Sequence, residues 1–411
     1  MSNPPTVAGI KAGSEPLAQL LLSKQEQSIP SAYQIQDLLC FSHLRWNFVY
    51  QRPQHLLSRA SQHFRVWFWE EPVRDDHNWL EVRSITPQLH ILVPHLSHTT
   101  GPEAEIDQQQ RWLNDLLIQH GMTDYGTWYY TPMALAFTDH LKPRVTLYDC
   151  MDELSAFQGA SLQLREQEKQ LLQRADLVFT GGHSLFEAKK KLNPSVHAFP
   201  SSVDYPHFAK ARQGLPDPAD QQEIAHPRIG YSGVIDERVD LLLLKELAQR
   251  QPTWQFILLG PVVKIDPATL PQAPNLHYLG MKSYDDLPAY FSNWAIGMLP
   301  FALNDSTRFI SPTKTPEYLA GGLPVVSTPI RDVVTTYGGC GPVWIADSVL
   351  TFEQAIHRML QNHPKPDWSG VDVQLRQQSW QQTWRAMLEL MEEQLRADEV
   401  DSPTTQPVLS L

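Results

Sequence analysis

The chain has 411 residues, of which 42% are hydrophobic and 19% are charged. This length fits two domains of about 100–200 residues each, and the composition excludes disorder or a fibrous repeat over most of the chain. Its 45 acidic residues against 33 basic ones give a formal net charge of -12 at pH 7, the wrong sign for a protein that coats nucleic acid. Any bound phosphate is therefore expected to be held by a few local groups.

The order of elements predicts an α/β chain. After a tail over residues 1–33, short apolar runs alternate with helical patterns through residues 34–204, which predicts a Rossmann-like domain of parallel βαβ units. The predicted strands are Asp37–Phe41, Arg65–Trp69, Leu89–Val93, Thr127–Tyr130, Val145–Tyr148, Leu177–Thr180 and Val196–Phe199. The predicted helices are Pro53–Ser61, Ile106–His120, Met133–His140, Leu162–Arg174 and Ser184–Lys191.

A second series of the same kind follows a Pro-, Asp- and Gln-rich linker over residues 205–226. It predicts a second Rossmann-like domain over residues 227–370, facing the first across a cleft. One helix over residues 371–397 carries an apolar stripe that needs a partner surface, and we expect it to cross back and pack on both domains. Residues 398–411 are predicted to be a tail.

Cysteine use and hydropathy bear on the compartment. The three cysteines are far apart in sequence and form no Cys-x-x-Cys pair, so a reducing compartment is the simplest interpretation. No stretch approaches the roughly 18 apolar residues of a spanning helix, which predicts a cytoplasmic protein, with peripheral contact at the inner face of a membrane left open. The run Lys189–Lys191 could touch anionic lipid, but a solvated helix end that favours cations is the preferred alternative.

Several common catalytic motifs are missing from the sequence. It contains no Gly-x-Gly-x-x-Gly after the first strand, no Walker phosphate loop, no His-Glu-x-x-His and no Gly-x-Ser-x-Gly. An Asp-x-Asp pair, which could hold a divalent metal against a diphosphate, is also missing. We therefore expect neither a cofactor nor a metal.

The most informative segment runs from Ile310 to Ser327 and reads ISPTKTPEYLAGGLPVVS. It predicts a polar loop, a helix with Thr315 as N-cap and Pro316 in its first turn, and a buried strand. Backbone N–H groups at the helix start, with Lys314 beside them, would suit an anion, and Glu317 would suit the two adjacent hydroxyls of a ribose. The alternative stays open that Lys314 is solvated and Glu317 merely favours the helix N-terminus.

This segment resembles the donor-site motif of GT-B nucleotide-sugar glycosyltransferases, especially the large retaining bacterial class (glycosyl transferases group 1, family 4-like). Two further motifs are similar to that family: FPSSVDYPHF at residues 199–208 resembles its domain-joining sequence, and IGYSGVIDER at residues 229–238 resembles the start of its C-terminal domain. The resemblance covers most of residues 36–397. It implies that a nucleotide diphosphate sugar binds mostly to the C-terminal half and a carbohydrate or lipid-linked acceptor to the N-terminal half.

The resemblance also implies roles for individual residues. Glu317 matches the ribose-binding glutamate, Ser311, Thr313 and Lys314 lie where the diphosphate meets the helix start, and Arg238 lies in the loop after Gly233 that supplies cations. Gly280 and Met281 match the turn that meets the nucleobase, and Arg52 faces the diphosphate from the other domain. The implied catalytic set is Asp149, Asp152, Arg238 and Lys314.

Three positions depart from the family pattern. Phe309 stands where the family often has a first glutamate, Val234 where it often has an arginine, and Asp149 nearest to the usual histidine. In a retaining front-face reaction the leaving phosphate can accept the acceptor's proton, whereas an inverting reaction needs a base, for which Asp149 or Asp152 is the candidate. A helix-capping loop is the alternative role for this carboxylate pair.

The resemblance, together with the missing Asp-x-Asp pair, therefore implies a metal-independent glycosyltransferase with a GT-B fold, retaining the configuration of the transferred sugar and acting in glycan or polysaccharide synthesis. Two alternatives remain open at this stage. The first is a sugar-nucleotide epimerase on the same fold, and the second is a catalytically degenerate scaffold that binds glycan.

Overall fold

The computed structural model describes residues 35–339, 341–361 and 368–400, with only the backbone given for residues 398–400. The predicted N-terminal tail and Cys340 lie outside the described residues, as does the predicted C-terminal tail beyond residue 400. The described part of the chain forms two lobes within one compact unit. We call residues 35–204 the N-terminal lobe and residues 205–379 the C-terminal lobe.

A nine-stranded sheet forms the centre of the N-terminal lobe. Its strands are β1 (Asp37–Ser42), β2 (Arg65–Glu70), β3 (Val73–Asp75), β4 (Trp79–Thr86), β5 (Leu89–Ser97), β6 (Tyr125–Tyr129), β7 (Val145–Cys150), β8 (Leu177–Thr180) and β9 (Val196–Ala198). The order is β3-β5-β2-β1-β6-β7-β8-β9, with β4 on β5, and every pair is parallel except β4 with β5. All six residues of β1 are buried, as expected for a parallel strand covered on both faces.

Helices connect the parallel strands of this sheet. They are α1 (Arg52–Ala60), α2 (Pro102–Gln119), α3 (Leu135–Thr138), α4 (Leu162–Arg174) and α5 (His183–Lys189). The predicted alternation of strands and helices is confirmed. Strands β3 and β4 were not predicted, because β4 is an edge strand whose residues are mostly half-buried or exposed, and it lacks a continuous apolar run.

The C-terminal lobe contains a six-stranded sheet in which all pairs are parallel. Its strands are β10 (Arg228–Ser232), β11 (Gln255–Leu259), β12 (Leu276–Gly280), β13 (Ile296–Leu299), β14 (Val325–Ser327) and β15 (Val343–Ile345), in the order β12-β11-β10-β13-β14-β15. Its helices are α6 (Tyr205–Phe208), α7 (Leu241–Arg250), α8 (Leu287–Ser292), α9 (Lys314–Ala320), α10 (Arg331–Tyr337), α11 (Val349–Leu360) and α12 (Ser369–Gln377). The two predicted Rossmann-like halves are therefore both present.

The segment predicted as a linker contains helix α6 and a 3-10 turn, Ala209–Gln213. Phe208 is fully buried in the core of the C-terminal lobe. The guanidinium of Arg212 donates hydrogen bonds of 2.8 Å to the carbonyls of Leu319 and Ala320 and forms an ion pair with Asp372. These contacts hold the first part of the segment against the C-terminal lobe.

Two helices replace the single C-terminal helix that the sequence predicted. Helix α12 ends at Gln377, and α13 (Trp380–Val400) begins after Ser379. The hydroxyl of Ser379 accepts a hydrogen bond of 3.2 Å from the backbone N–H of Gln382, and this contact separates α13 from α12. Apolar residues of α12 join the core of the C-terminal lobe, whereas those of α13 join the core under β1 and β2. The predicted packing on both lobes is confirmed, but it is shared between two helices. None of the described helices has the length and apolar character needed to span a membrane.

Substitution of Trp384 tests how much α13 contributes to the N-terminal lobe. Its side chain is 1% exposed and lies 6.4 Å, between ring centroids, from both Trp128 and Phe64. We expect Trp384→Ala to lower the free energy of unfolding by about 3–5 kcal/mol, because it leaves a large cavity. Urea denaturation measures the effect, and Glu389→Ala on the exposed face of α13 is the matched control, with an expected change within about 0.5 kcal/mol. Equal effects of the two substitutions would contradict this account.

Candidate active site

A cleft between the lobes contains a cavity of about 140 Å³. Its walls come from the loops that follow β1, β7, β8, β10 and β13 and from the segment before α9. Parallel strands end at the same edge of their sheet, so the residues just beyond those ends converge at one place. The residues of the cavity wall used below are Tyr50, Arg52, Asp152, Gly233, Arg238, Ser311, Thr313 and Lys314.

Helix α9 begins two residues earlier than the sequence predicted. The backbone N–H of Glu317 donates a hydrogen bond of 3.3 Å to the carbonyl of Thr313, which is already helical and occupies the N-cap position. Thr315, predicted as the N-cap, lies inside the helix and is fully buried, and its hydroxyl has no hydrogen-bond partner. Pro316 does lie in the first turn, as predicted, but it is the third helical residue and not the first, so the N-cap is Thr313 and the prediction of Thr315 was wrong.

Lys314 and Glu317 form an ion pair at the start of α9. The ammonium of Lys314 lies 2.6 Å from Oε2 of Glu317, and the two side chains are only 13% and 7% exposed. Burial raises the pKa of Glu317, while the charge of Lys314 and hydrogen bonds from Lys314 and Thr313 oppose the rise. Lys314 lines the cavity, whereas Glu317 does not and lies beside it, so an ammonium suited to phosphate adjoins a buried carboxylate suited to hydroxyl groups.

Arg238 is held in place by Asp236. The Nη2 atom of Arg238 lies 2.7 Å from Oδ2 of Asp236, and its Nε donates to both carboxylate oxygens at 3.0 and 3.1 Å. Burial opposes the charge of Arg238, but the hydrogen bonds to Asp236 and the nearby Asp152 carboxylate raise its pKa overall. The cleft thus contains a second fixed cation, on the same lobe as Lys314.

The two candidate bases occupy different environments. Asp149, in β7, is fully buried and accepts two hydrogen bonds of 2.9 Å from Nε of Arg52, so the structure does not bring it to the wall of the cavity. Asp152 does line the cavity, and burial raises its pKa while Arg238 opposes that rise. Asp149 therefore orients Arg52, and Asp152 is the carboxylate of this pair that a substrate could reach.

Arg52 lies on the wall of the N-terminal lobe. Besides its contact with Asp149, its Nη1 donates a hydrogen bond of 2.8 Å to the carbonyl of Phe199. Its Nη2 approaches Oδ1 of Asp149 to 2.9 Å without donating a well-directed hydrogen bond, so this nitrogen keeps donor capacity. The side chain is 3% exposed and is fixed by its partners.

The remaining predicted residues lie in or beside the cleft. Gly233, Ser311 and Thr313 line it, and the carbonyl of Ser311 accepts a hydrogen bond of 3.0 Å from the hydroxyl of Ser201 on the other lobe. Met281 lines an adjoining cavity. Gly280 precedes it at the end of β12 with a φ of 71°, which favours glycine.

Four residues beside the cleft were not predicted from the sequence: Tyr50, Tyr284, Phe157 and Lys264. The rings of Tyr50 and Tyr284, from different lobes, lie 4.6 Å apart between centroids beside the cavity that Met281 lines. Lys264 is the one non-glycine residue with positive φ in the described chain, and its ammonium lies 4.8 Å from the ring centroid of Phe157. Tyr50, Phe157 and Lys264 follow β1, β7 and β11, so their position beyond parallel strand ends was the available signal.

Lys189 does not match the solvated helix end that the sequence suggested. Its side chain is buried between Glu153 and Glu168 and is therefore not available to lipid. No three histidine, cysteine, aspartate or glutamate side chains in the described ranges are grouped to hold a metal ion.

Comparisons with known proteins agree with this architecture. Residues 226–362 match the family model described as "Glycosyl transferases group 1". A Bacillus subtilis (strain 168) protein named "Putative teichuronic acid biosynthesis glycosyltransferase TuaH" is 30% identical over an alignment of 198 residues, and the match covers 44% of this chain and 50% of that protein. The chain thus spans about half the length of this curated relative.

Solved structures resemble the chain over most of its length. Sucrose-phosphate synthase from Thermosynechococcus elongatus superposes with a TM-score of 0.63 at 16% identity, covering 88% of this chain and 100% of that one. A UDP-forming trehalose-phosphate synthase from Burkholderia xenovorans gives a TM-score of 0.61 at 12% identity, covering 87% and 100%. The chain therefore has the GT-B fold, and its residues 226–362 carry a domain of the glycosyl transferases group 1 family.

Proposed function

We propose that this protein is a glycosyltransferase that moves a sugar from a nucleotide diphosphate sugar to a carbohydrate or lipid-linked acceptor. The observation that carries the proposal is the joint presence of the Lys314–Glu317 pair and the Arg238–Asp236 pair at one cleft between two Rossmann-like lobes. The family domain and the name of the Bacillus subtilis relative support the same activity.

The donor would bind chiefly to the C-terminal lobe. In this proposal Glu317 accepts hydrogen bonds from the ribose hydroxyls, and Lys314 turns from Glu317 towards the diphosphate. The cavity beside Met281, with Tyr50 and Tyr284 at its wall, is a site for the nucleobase. Because one structural neighbour is described as UDP-forming, uridine nucleotides are the first ligands to test.

The reaction would break the bond between the anomeric carbon and the diphosphate while the acceptor oxygen forms a new bond to that carbon. Lys314 and Arg238 stabilise the charge that grows on the leaving diphosphate, so in this proposal the protein supplies the positive charge without a metal. We propose retention, with the leaving phosphate taking the acceptor's proton. If the reaction instead inverts the configuration, Asp152 is the base that lines the cleft.

Removal of either cation tests this role. We expect Lys314→Ala and Arg238→Ala each to lower kcat by about 10²–10³, because a fixed positive group is lost where charge develops. Transfer from UDP-sugars, followed by NMR of the anomeric proton in the product, measures both the rate and the stereochemistry. Lys245→Ala, an exposed lysine on α7, is the control. Wild-type rates in both cleft variants would contradict the proposal, and a converted sugar nucleotide formed without acceptor would favour an epimerase.

Ribose recognition by Glu317 is tested with two ligands that differ only in the ribose hydroxyl groups. Calorimetry compares UDP with its 2′,3′-dideoxy analogue on the wild type and on Glu317→Gln. We expect the analogue to bind the wild type about 10–100 times more weakly than UDP, since hydrogen bonds to a charged group are lost. In Glu317→Gln that ratio should shrink towards unity, and an unchanged ratio would place the ribose elsewhere.

The pH dependence of nucleoside binding gives a separate prediction. Burial raises the pKa of Glu317, so its carboxylate becomes protonated at a higher pH than an ordinary glutamate does and then no longer accepts two hydroxyls. We expect uridine affinity, measured by NMR titration, to fall as the pH is lowered from 8 to 5. Uridine carries no phosphate that titrates in this range. A profile in Glu317→Gln as steep as that of the wild type would contradict this assignment.

A further inference from the structure

A second cavity, of about 560 Å³, lies beside the cleft and is formed by both lobes. We call it the side cavity; its walls include Glu153, Phe157, Arg165, Lys189, Arg308 and Phe309. The side cavity adjoins the cleft along two chain segments. In the first segment Asp152 lines the cleft and Glu153 lines the side cavity. In the second, Ile310 lines the cleft and Phe309 lines the side cavity. A ligand in the side cavity would therefore lie next to the cleft in which the donor is proposed to bind.

The inner part of the side cavity contains one ammonium group between two carboxylates. The ammonium of Lys189 lies 2.8 Å from Glu153 and 2.8 Å from Glu168, and Glu168 also accepts a hydrogen bond of 2.9 Å from the hydroxyl of Tyr148. Burial opposes the charge of Lys189, but the nearby acidic groups raise its pKa overall. This cluster forms a polar floor in which Lys189 is paired twice and one carboxylate charge is in excess, so an anion would be bound at the rim and not at the floor.

The rim differs from the floor because it carries two arginines without acidic partners. Neither Arg165 nor Arg308 lies within 4 Å of a carboxylate in the part of the chain that the structure describes. Arg308 stacks on the ring of Phe309 at 5.2 Å, and Arg165 donates only a long hydrogen bond of 3.4 Å to the carbonyl of Ser155. Apart from Glu153 and Glu168, the described wall of the side cavity contains one acidic side chain, Asp305. Among the described residues, Asp305 forms no ion pair with Arg165 or Arg308. Both guanidinium groups can therefore donate a fork of hydrogen bonds to an anion.

We propose that the side cavity binds the acceptor as a sugar unit bearing a carboxylate or phosphate group. Arg165 and Arg308 bind the anionic group. Because cations already lie over the rings of Phe157 and Phe309, the sugar contacts the parts of these two side chains that line the cavity. Phenylalanine at position 309, where the resembling family often has glutamate, removes a charge that would repel such a ligand. That the bound sugar is the acceptor rests on the proposed function. The binding of an anionic sugar in the side cavity does not depend on that function.

The acceptor reacts without any redox partner. Its hydroxyl oxygen forms a bond to the anomeric carbon of the donor sugar, the bond from that carbon to the diphosphate breaks, and the hydroxyl proton passes to the leaving phosphate. The anionic group stays at the rim, away from the reacting atoms. Arg165 and Arg308 therefore position the acceptor and take no part in the bond exchange.

Ligand-detected NMR on the full chain tests the proposal with three probes: methyl glucoside, glucuronic acid and glucose 6-phosphate. We expect at least one anionic sugar to bind about tenfold or more tightly than methyl glucoside, and the identity of that sugar distinguishes carboxylate from phosphate. In the double variant Arg165→Ala/Arg308→Ala this preference should disappear. Arg358→Ala on α11 is the matched control and should leave it unchanged.

UDP affinity, measured on the same samples, separates this proposal from the proposed function. We expect the double variant to bind UDP as the wild type does, which also shows that it is folded. Loss of the anionic preference with UDP binding intact supports the side cavity as the acceptor site. Equal binding of neutral and anionic sugars, or a preference that survives in the double variant, overturns it. Inorganic phosphate that binds as tightly as glucose 6-phosphate overturns the contact with the sugar ring. Absence of UDP binding in the wild type overturns the proposed function alone.

Discussion

Parallel pairing of strands is the constraint on which the site depends. Because the strands of each sheet, except β4, run the same way, their carboxyl ends lie on one edge, and loops that are far apart in sequence meet there. Loops after β7 and β10 thus place Asp152 near Arg238, and the segment before α9 adds Lys314. These residues occupy one cleft because of the topology, although 162 positions of sequence separate the first from the last.

The cleft cations are held in charge pairs. With a formal charge of -12, the chain has no general field that would attract a diphosphate, so its phosphate-binding groups must be local. Arg238, Lys314 and Arg52 each contact a buried carboxylate: Asp236, Glu317 and Asp149 respectively. The pairs keep the cations charged and in fixed orientations, which reduces the reorganisation needed when a ligand binds.

The sequence predicted the buried parallel strands and the residues around α9, because both depend on local patterns. One helix was predicted where there are two, because the apolar stripe continues past the break. The available signal was Ser379 with Gln382, which form the Ser-x-x-Gln pattern of a capping box at the start of α13. The sequence could not separate Asp149 from Asp152. The two residues are three positions apart in sequence. Asp149 is fixed by Arg52, which is 97 residues away, whereas Asp152 faces the cleft. Long-range partners of this kind leave no periodic signal.

The return of α13 to the N-terminal lobe has a consequence for biosynthesis. The ribosome makes β1 and β2 before the C-terminal lobe, yet the apolar residues that cover their core are translated after that lobe: Trp380, Trp384, Met387, Met391 and Leu395. Until then the nascent N-terminal lobe exposes a surface that favours aggregation or chaperone binding. The N-terminal lobe therefore completes its core only after the C-terminal lobe has been synthesised.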